Sequence, residues 1–395
     1  MLKLPNAGQS FAEIRRGDFL YVDKTRYLRE IVAVGGCHVL SRPPRFGKSL
    51  LIGTLAELLK GNRELFKGLW IDSSGYDFKK HPVINLSLTG GPENGSAVEE
   101  NLRTELHEAA KDNSVDPNGP DFGKDSSPGD ILRKLAGTLR RATGERVAVL
   151  IDEYDAPVRD VLDDTVRANE NLAVLRSFYR SLKTLVDKDL TRAVLLTGAI
   201  KPVFENGFSG FNNYLDLTFD PEYNAICGFT PDEFLSCFGP YLPDLLDRLK
   251  SGGDMPAEAD REALAKKIFD FYGGYSWDGE NRVLNPGSVI EMLGSGELGT
   301  RGFNSITPSF LMKVLKREGK ARDFRETVPV RKNTLNSTDI DNLNLDSILF
   351  HAGHLTIREK SKNGEYLLER PNEEIRRAWD EALLRFFPGT RPKKP

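Results

Sequence analysis

Cysteine is scarce in this chain of 395 residues: there are three, at Cys37, Cys227 and Cys237, and no CxxC pair. An odd, widely spaced set is not a disulfide framework, so the expectation is small buried hydrophobes in a reducing, cytoplasmic setting. Histidine is scarce too, at five residues, which argues against a structural zinc site. No stretch approaches the ~18 consecutive apolar residues that span a bilayer. The N-terminus, Met1-Leu-Lys-Leu-Pro-Asn-Ala-Gly, lacks the apolar core of a signal peptide. No membrane role is expected. Charge of one sign is not in excess: 55 basic against 58 acidic residues leave a net charge of −3, so nothing global points to a polyanion. What remains, 39% hydrophobic and 29% charged residues, is ordinary for globular domains, and the length suits two or three of them.

Residues 1–36 read as an N-terminal segment packed on the core. Phe19-Leu-Tyr-Val is strand-like, and Lys24 to Val34 has helical spacing with Tyr27, Leu28, Ile31 and Val32 on one face. From 37 to 229 strands and helices alternate. The predicted strands are Cys37-His-Val-Leu, His81 to Leu88, Arg146 to Ile151 and Arg192 to Gly198; helices are predicted over Leu50–Leu59, Ser96–Lys111 and 165–188. Residues 112–128, rich in Asp, Asn, Pro, Gly and Ser, read as a loop. This order predicts an α/β fold, a parallel sheet flanked by helices with right-handed crossovers. Past 230 strand runs become rare. Thr230-Pro-Asp-Glu is a helix start and Asp260 to Tyr272 a helix stopped by Gly273-Gly274, so 230–335 is expected to be a helical domain. Residues 336–387 read as a small α+β region, with strands near Leu355-Thr-Ile and Tyr366-Leu-Leu and a helix from Asn372. Residues 388–395 read as a disordered basic tail.

The chemistry concentrates where the first apolar run ends. Ser41-Arg-Pro-Pro-Arg-Phe-Gly-Lys-Ser lies between a strand and a helix and contains the second half of G-x-x-x-x-G-K-[ST], the loop whose N–H groups surround phosphate oxygens. Arg42 stands at the first glycine position. Pro43 and Pro44 have no N–H, but the donors come mainly from the later stretch, Arg45, Phe46, Gly47, Lys48, Ser49 and Leu50, which are the candidate nucleotide-binding residues. Gly47 permits close backbone approach, Lys48 can reach the β- and γ-phosphates, and Ser49 can ligate Mg²⁺. The helix points its positive end at the anion.

A second, independent feature lies about one hundred residues on. The apolar strand Val147 to Ile151 delivers Asp152 and Glu153 at its C-terminal end, the edge where open parallel sheets bind ligands. Asp152 is the candidate second Mg²⁺ ligand and Glu153 the candidate general base for an attacking water. Thr197, at the end of the next strand, either senses the γ-phosphate or caps the strand before Gly198. Arg42 and Arg45 flank the loop; each can neutralise transferred charge or pair with Asp23 or Glu153, and for Arg42 a structural ion pair is expected.

Together with Phe19-Leu-Tyr-Val-Asp-Lys-Thr, Leu65-Phe-Lys-Gly-Leu, Leu150-Ile-Asp-Glu-Tyr-Asp-Ala-Pro, Phe208-Ser-Gly-Phe-Asn-Asn, Cys227-Gly-Phe-Thr-Pro-Asp-Glu, Tyr272-Gly-Gly-Tyr-Ser, Asn285-Pro-Gly-Ser and Pro371-Asn-Glu-Glu-Ile-Arg, the loop resembles the predicted AAA-ATPase-like family from about Leu4 to about Phe387. The resemblance implies a P-loop ATPase core of the additional-strand type with a helical and winged-helix-like extension. It implies ATP and Mg²⁺ on Lys48 and Ser49, Asp152 and Glu153 in the acidic-strand roles, and the Tyr21 to Thr25 stretch near the nucleotide or packed beneath the sheet. Two departures stand out. Position 44 is Pro where the family usually has Arg. Members often continue into a restriction-type nuclease domain, whereas eight residues follow Phe387 here, so the chain, unless it is a fragment, is not expected to cut DNA.

The expected function is Mg-dependent ATP binding and hydrolysis driving a conformational switch. The alternatives are an ATP-gated switch or scaffold that hydrolyses little and recruits a protein partner or a second copy, and, by family analogy alone, a nucleic-acid or mobile-element accessory ATPase. A P-loop kinase fits less well, because Asp-Glu at the strand end favours water as acceptor.

Overall fold

The computed structural model describes residues 1–89, 94–119, 122–123, 126–201, 214–300, 311, 327–336 and 339–386. The Phe208 to Asn213 motif and the 388–395 tail lie outside the described residues.

Four runs of apolar residues form the centre of a parallel sheet: β1 (Cys37–Ser41), β2 (Val83–Ser87), β3 (Val147–Asp152) and β4 (Thr191–Gly198), joined at one edge by β5 (Tyr214–Asp216) in the order β2-β3-β4-β1-β5. Every residue of β1 and β3 is buried, as expected of strands covered on both faces. β4 lies between β1 and the acidic strand β3, which is the additional-strand arrangement. It brings the C-terminal ends of three strands side by side.

The helices follow from capping and apolar spacing. α1 (Phe11–Arg16) opens with a capping box at Ser10 and Glu13, and α2 (Thr25–Val34) buries Tyr27, Leu28, Ile31 and Val32. α3 (Lys48–Leu59) packs on β2, β3 and β4; its interior, Leu51, Ile52, Leu55, Leu58 and Leu59, is buried. α4 (Gly95–Asp112), α5 (Pro128–Thr143) and, after the single turn α6 (Ala156–Arg159), α7 (Thr165–Asp187) pack on one another. α5 is a helix where the sequence reading placed none. Ser127 caps it by accepting from the Asp130 N–H, Pro128 fills its first turn, and Gly144 ends it at φ +75°.

Phe19-Leu-Tyr-Val, expected as a strand, makes only one isolated bridge, Phe19 to Lys3. Its alternation is real, but the two faces serve different bodies and no strand lies alongside. Leu20 and Val22 enter the core of a helical region, α8 (Pro231–Phe238), α9 (Leu242–Ser251), α10 (Arg261–Tyr272) and α11 (Pro286–Ser295); Tyr21 turns back towards Phe11 and Thr54. Thr230 caps α8 in a capping box with Glu233, whose carboxylate also takes the buried Lys24 ammonium at 2.6 Å. The N-terminal segment thereby ties the helical region to the sheet.

The C-terminal part holds a three-stranded antiparallel sheet, β6 (Val328–Val330), β7 (Thr356–Lys360) and β8 (Tyr366–Glu369), in the order β6-β8-β7, with helices Lys332–Asn336, Leu345–His351 and Glu373–Phe386. β6 had no counterpart in the sequence reading. The strand–helix–helix–hairpin order is that of a winged helix. Its second helix is buried, and Phe350 stacks at 5.8 Å on Phe219, in the segment that follows β5.

Where β3 and β4 end, space is fully used. A Cβ on Gly198 would stand 2.3 Å from Asp155 Oδ1 and 2.6 Å from the Tyr154 ring. Gly198→Ala is therefore expected to cost about 2 kcal/mol through overpacking, read as a lower urea midpoint at unchanged slope.

Candidate nucleotide site

The loop after β1 is held from behind by Arg42. Its guanidinium is buried and donates to the carbonyls of Ser41 (2.9 Å), Thr218 (3.0 Å) and Tyr223 (2.9 Å), and lies 3.9 Å from the centre of the Trp277 ring. Burial pushes it down to about 10, so it stays charged at neutral pH. The ion pair expected for Arg42 is not what forms. Asp23 instead caps α2, accepting from Thr25 N–H at 2.8 Å and from Trp70 N–H at 2.6 Å, and Glu153 is engaged elsewhere. Carbonyls take the two terminal nitrogens of Arg42 and a ring face lies against its plane, without an acid, while Nε finds no partner among the described residues.

Arg45 sits at φ +65° and turns towards α11: its carbonyl accepts from Gly287 N–H at 3.2 Å and its guanidinium pairs with Glu291 at 2.5 Å. It pairs with neither Asp23 nor Glu153. The Phe46 ring is buried edge-on against Tyr275 (4.9 Å) and Trp277 (5.5 Å), which leaves only its main chain for a ligand. Gly47, at φ +87°, is the left-handed cap from which α3 starts. The N–H groups of the first helical turn, Lys48, Ser49 and Leu50, have no partner within the helix by its geometry. Ser49 is exposed on that turn.

Lys48 is 4% exposed. Its ammonium donates to the Pro43 carbonyl at 3.2 Å and lies 3.5 Å from Glu153 Oε1. Glu153, at φ +51°, is turned back by the tight bend after β3. Burial alone would raise its carboxyl, but Lys48 on one side and Arg159 (2.5 Å) on the other outweigh burial and hold it below the usual glutamate value. Asp152 Oδ1 accepts from the Thr197 hydroxyl at 2.7 Å and from Glu153 N–H at 3.0 Å. Lys48, Asp152, Glu153 and Thr197, from three separate sequence stretches, therefore meet at one edge of the sheet.

Residues Arg45 to Leu51 and Glu153 border a cavity of about 550 Å³, closed on its far side by Ala7, Leu20 to Val22, Ile226 to Phe229 and Pro286-Gly287. The volume lies in the range of small-molecule sites, and the wall beyond the loop is mainly apolar. Tyr21 and Val22 border this cavity, whereas Asp23 and Thr25 belong to the start of α2.

Residues 5–208, more than half of the chain, match the family described as Predicted AAA-ATPase. The chain belongs to that family. A protein of Azotobacter chroococcum mcd 1, described as "Uncharacterized protein in vnfD 5'region", is 33% identical over 395 residues, covering 98% of this chain and 71% of the relative. Among solved structures, Cdc6p from Pyrobaculum aerophilum aligns over 92% of this chain and 93% of that chain at 13% identity and a TM-score of 0.31, a likeness too slight to bear on fold or function. Membership in the AAA-ATPase family supports ATPase-type nucleotide binding.

Mg²⁺ usually takes one or two protein oxygens besides phosphate and water. The donor set fits that habit: one Asp152 oxygen is fixed by Thr197 while the other accepts no hydrogen bond among the described residues, and the Ser49 hydroxyl stands exposed on the first turn of α3. Among the described residues no three His, Cys, Asp or Glu side chains gather into a metal cage. Sequence reasoning did not single out Arg159 or Glu291, and met Gly287 only within the Asn285-Pro-Gly-Ser motif. Only the Asp155–Arg159 spacing of four was there to be read.

Proposed function

We propose that this AAA-ATPase family member binds Mg-ATP on the loop Arg45–Leu50 and hydrolyses it, moving the helical region relative to the sheet. The observation that carries the reading is Glu153: its carboxylate borders the cavity and touches the lysine that would bind the phosphates. The first-turn N–H groups of α3 cradle the phosphates, and Lys48 turns from Pro43 and Glu153 to the β- and γ-oxygens. Glu153 then accepts a proton from water as the water oxygen bonds to the γ-phosphorus and the bond to the ADP oxygen breaks. Ser49 and Asp152 would hold Mg²⁺, which would neutralise phosphate charge. Thr197 keeps Asp152 oriented. Because Arg45 is bonded to both Gly287 and Glu291, a ligand that shifts the loop also pulls on α11.

A second reading, an ATP-gated switch with negligible turnover that captures a partner or a second copy, is favoured by the same glutamate being clamped between two cations. No helix among the described residues is long and apolar enough to cross a membrane. The three cysteines are free, which accords with a cytoplasmic site of action.

The test is ATP turnover with Mg²⁺ and with EDTA. Hydrolysis that needs Mg²⁺ is expected. Tight Mg-ATP binding without phosphate release, together with nucleotide-dependent oligomerisation or partner capture, selects the switch. Turnover equal in EDTA removes the metal role given to Ser49 and Asp152.

A further inference from the structure

The bend after β3 carries more charge than nucleotide chemistry alone requires. α6 is a single turn, and it returns Arg159 beneath Glu153. The guanidinium Nη1 donates to Glu153 Oε2 at 2.5 Å and lies 3.4 Å from Asp155 Oδ2, while its Nε donates to Asp160 Oδ1 at 3.0 Å. Asp155 is itself fully buried and fixed by the Ile200 N–H at 2.8 Å and the Ala199 N–H at 3.1 Å, so the arginine rests on the end of β4 through a rigid partner. Burial would lower the Arg159 guanidinium, but Asp155, Glu153 and Asp160 together raise it, and its charge is permanent.

The two oxygens of Glu153 have different partners. Oε2 is bonded to Arg159, which does not border the nucleotide cavity; Oε1 faces Lys48, which does. If Lys48 swings to phosphate, Oε1 loses its cation and is left facing the cavity. Oε2 keeps its own. A carboxylate anchored at one oxygen presents the other in one direction, and the positive-φ backbone at Glu153 does not by itself set that direction.

We infer that Arg159 is a positioning residue, anchoring one oxygen of Glu153 so that the other is presented to the attacking water; this rests on the hydrolytic reading above. The bond is charge-assisted and largely buried, so it is stronger than a neutral hydrogen bond.

The experiment compares Arg159→Met and Arg159→Lys with the unaltered chain in ATP affinity and kcat, each also made in the Glu153→Gln background. Loss of the anchor is expected to lower kcat by roughly a hundredfold with ATP affinity retained. Arg159→Lys keeps a cation beside Oε2 and should restore part of the rate. Because Arg159 acts through Glu153, Arg159→Met should lower the residual rate of Glu153→Gln little further. An unchanged kcat, or an equal fall in the presence and absence of the Glu153 carboxylate, overturns the inference. Absence of hydrolysis in the unaltered chain, with Lys48-dependent ATP binding, instead overturns the hydrolytic reading.

Discussion

Lys48→Ala is expected to weaken ATP binding at least tenfold to a hundredfold and to abolish turnover, measured by equilibrium binding and phosphate release. The ammonium is buried beside the loop and has two present partners, the Pro43 carbonyl and Glu153 Oε1, neither of which needs it for folding. Pro43 is a neutral acceptor, and Glu153 keeps Arg159. Removal thus leaves no unpaired buried charge, and the variant should melt close to the parent. What is lost is a charge-assisted contact to phosphate, about 1.5–3 kcal/mol, which is one to two decades of affinity. The backbone N–H groups of α3 remain, so residual weak binding is consistent with the site. An unchanged affinity with no turnover in either protein would mean that the loop with Arg42 at its first glycine position does not hold nucleotide, and the proposed function would fall.

Much of the sheet was legible because its strands are long apolar runs that end in recognisable chemistry. Cys37–Ser41, Val147–Asp152 and Thr191–Gly198 lie within two residues of where their composition put them. α5 was equally signalled, by Ser127-Pro128 before it, Gly144 after it and Ile131, Leu132, Leu135, Ala136 and Leu139 between, yet the polar loop that precedes it masked the pattern. Elements that exist only through a neighbour were not legible. Val328-Pro-Val is a strand because β8 lies beside it, and Phe19-Leu-Tyr-Val is not one because it meets only Lys3, in a single bridge. The same division holds at the site. Lys48, Asp152, Glu153 and Thr197 announce themselves by type and by position at strand ends. The Arg45–Glu291 pair joins residues 246 apart, and Arg159 reaches Glu153 only through a bend whose positive φ no pattern records. Arg42 was misassigned for a related reason: sequence shows the cation, whereas the carbonyls and indole face that hold it come from two distant segments, around Thr218 to Tyr223 and at Trp277.

Glu153→Gln is expected to hold ATP and to lose hydrolysis by ~10²–10⁴-fold, the usual range for a general base. The two effects separate because glutamine is nearly the same shape. Its carbonyl oxygen can still accept from Arg159, so the side chain stays anchored, but an amide cannot take the proton from water. Binding should be retained or tightened, since the Lys48–Glu153 contact that competes with phosphate is gone. The pH dependence of the parent gives an independent check. Glu153 is held below the usual glutamate value by Lys48 and Arg159, in spite of burial. A base must be ionised to act, so kcat/KM, which reports the free protein, should stay flat as pH falls to the ordinary carboxylate range and drop only below it; that limb should be absent from the residual rate of the variant. When Lys48 moves to phosphate one cation leaves Glu153, so the limb for kcat should lie above the titration of Glu153 in the nucleotide-free protein. ATP retention with undiminished turnover in Glu153→Gln would take the base role away from this residue and pass it to another group at the strand ends, with Asp152, one oxygen of which accepts no hydrogen bond among the described residues, the first to be tested.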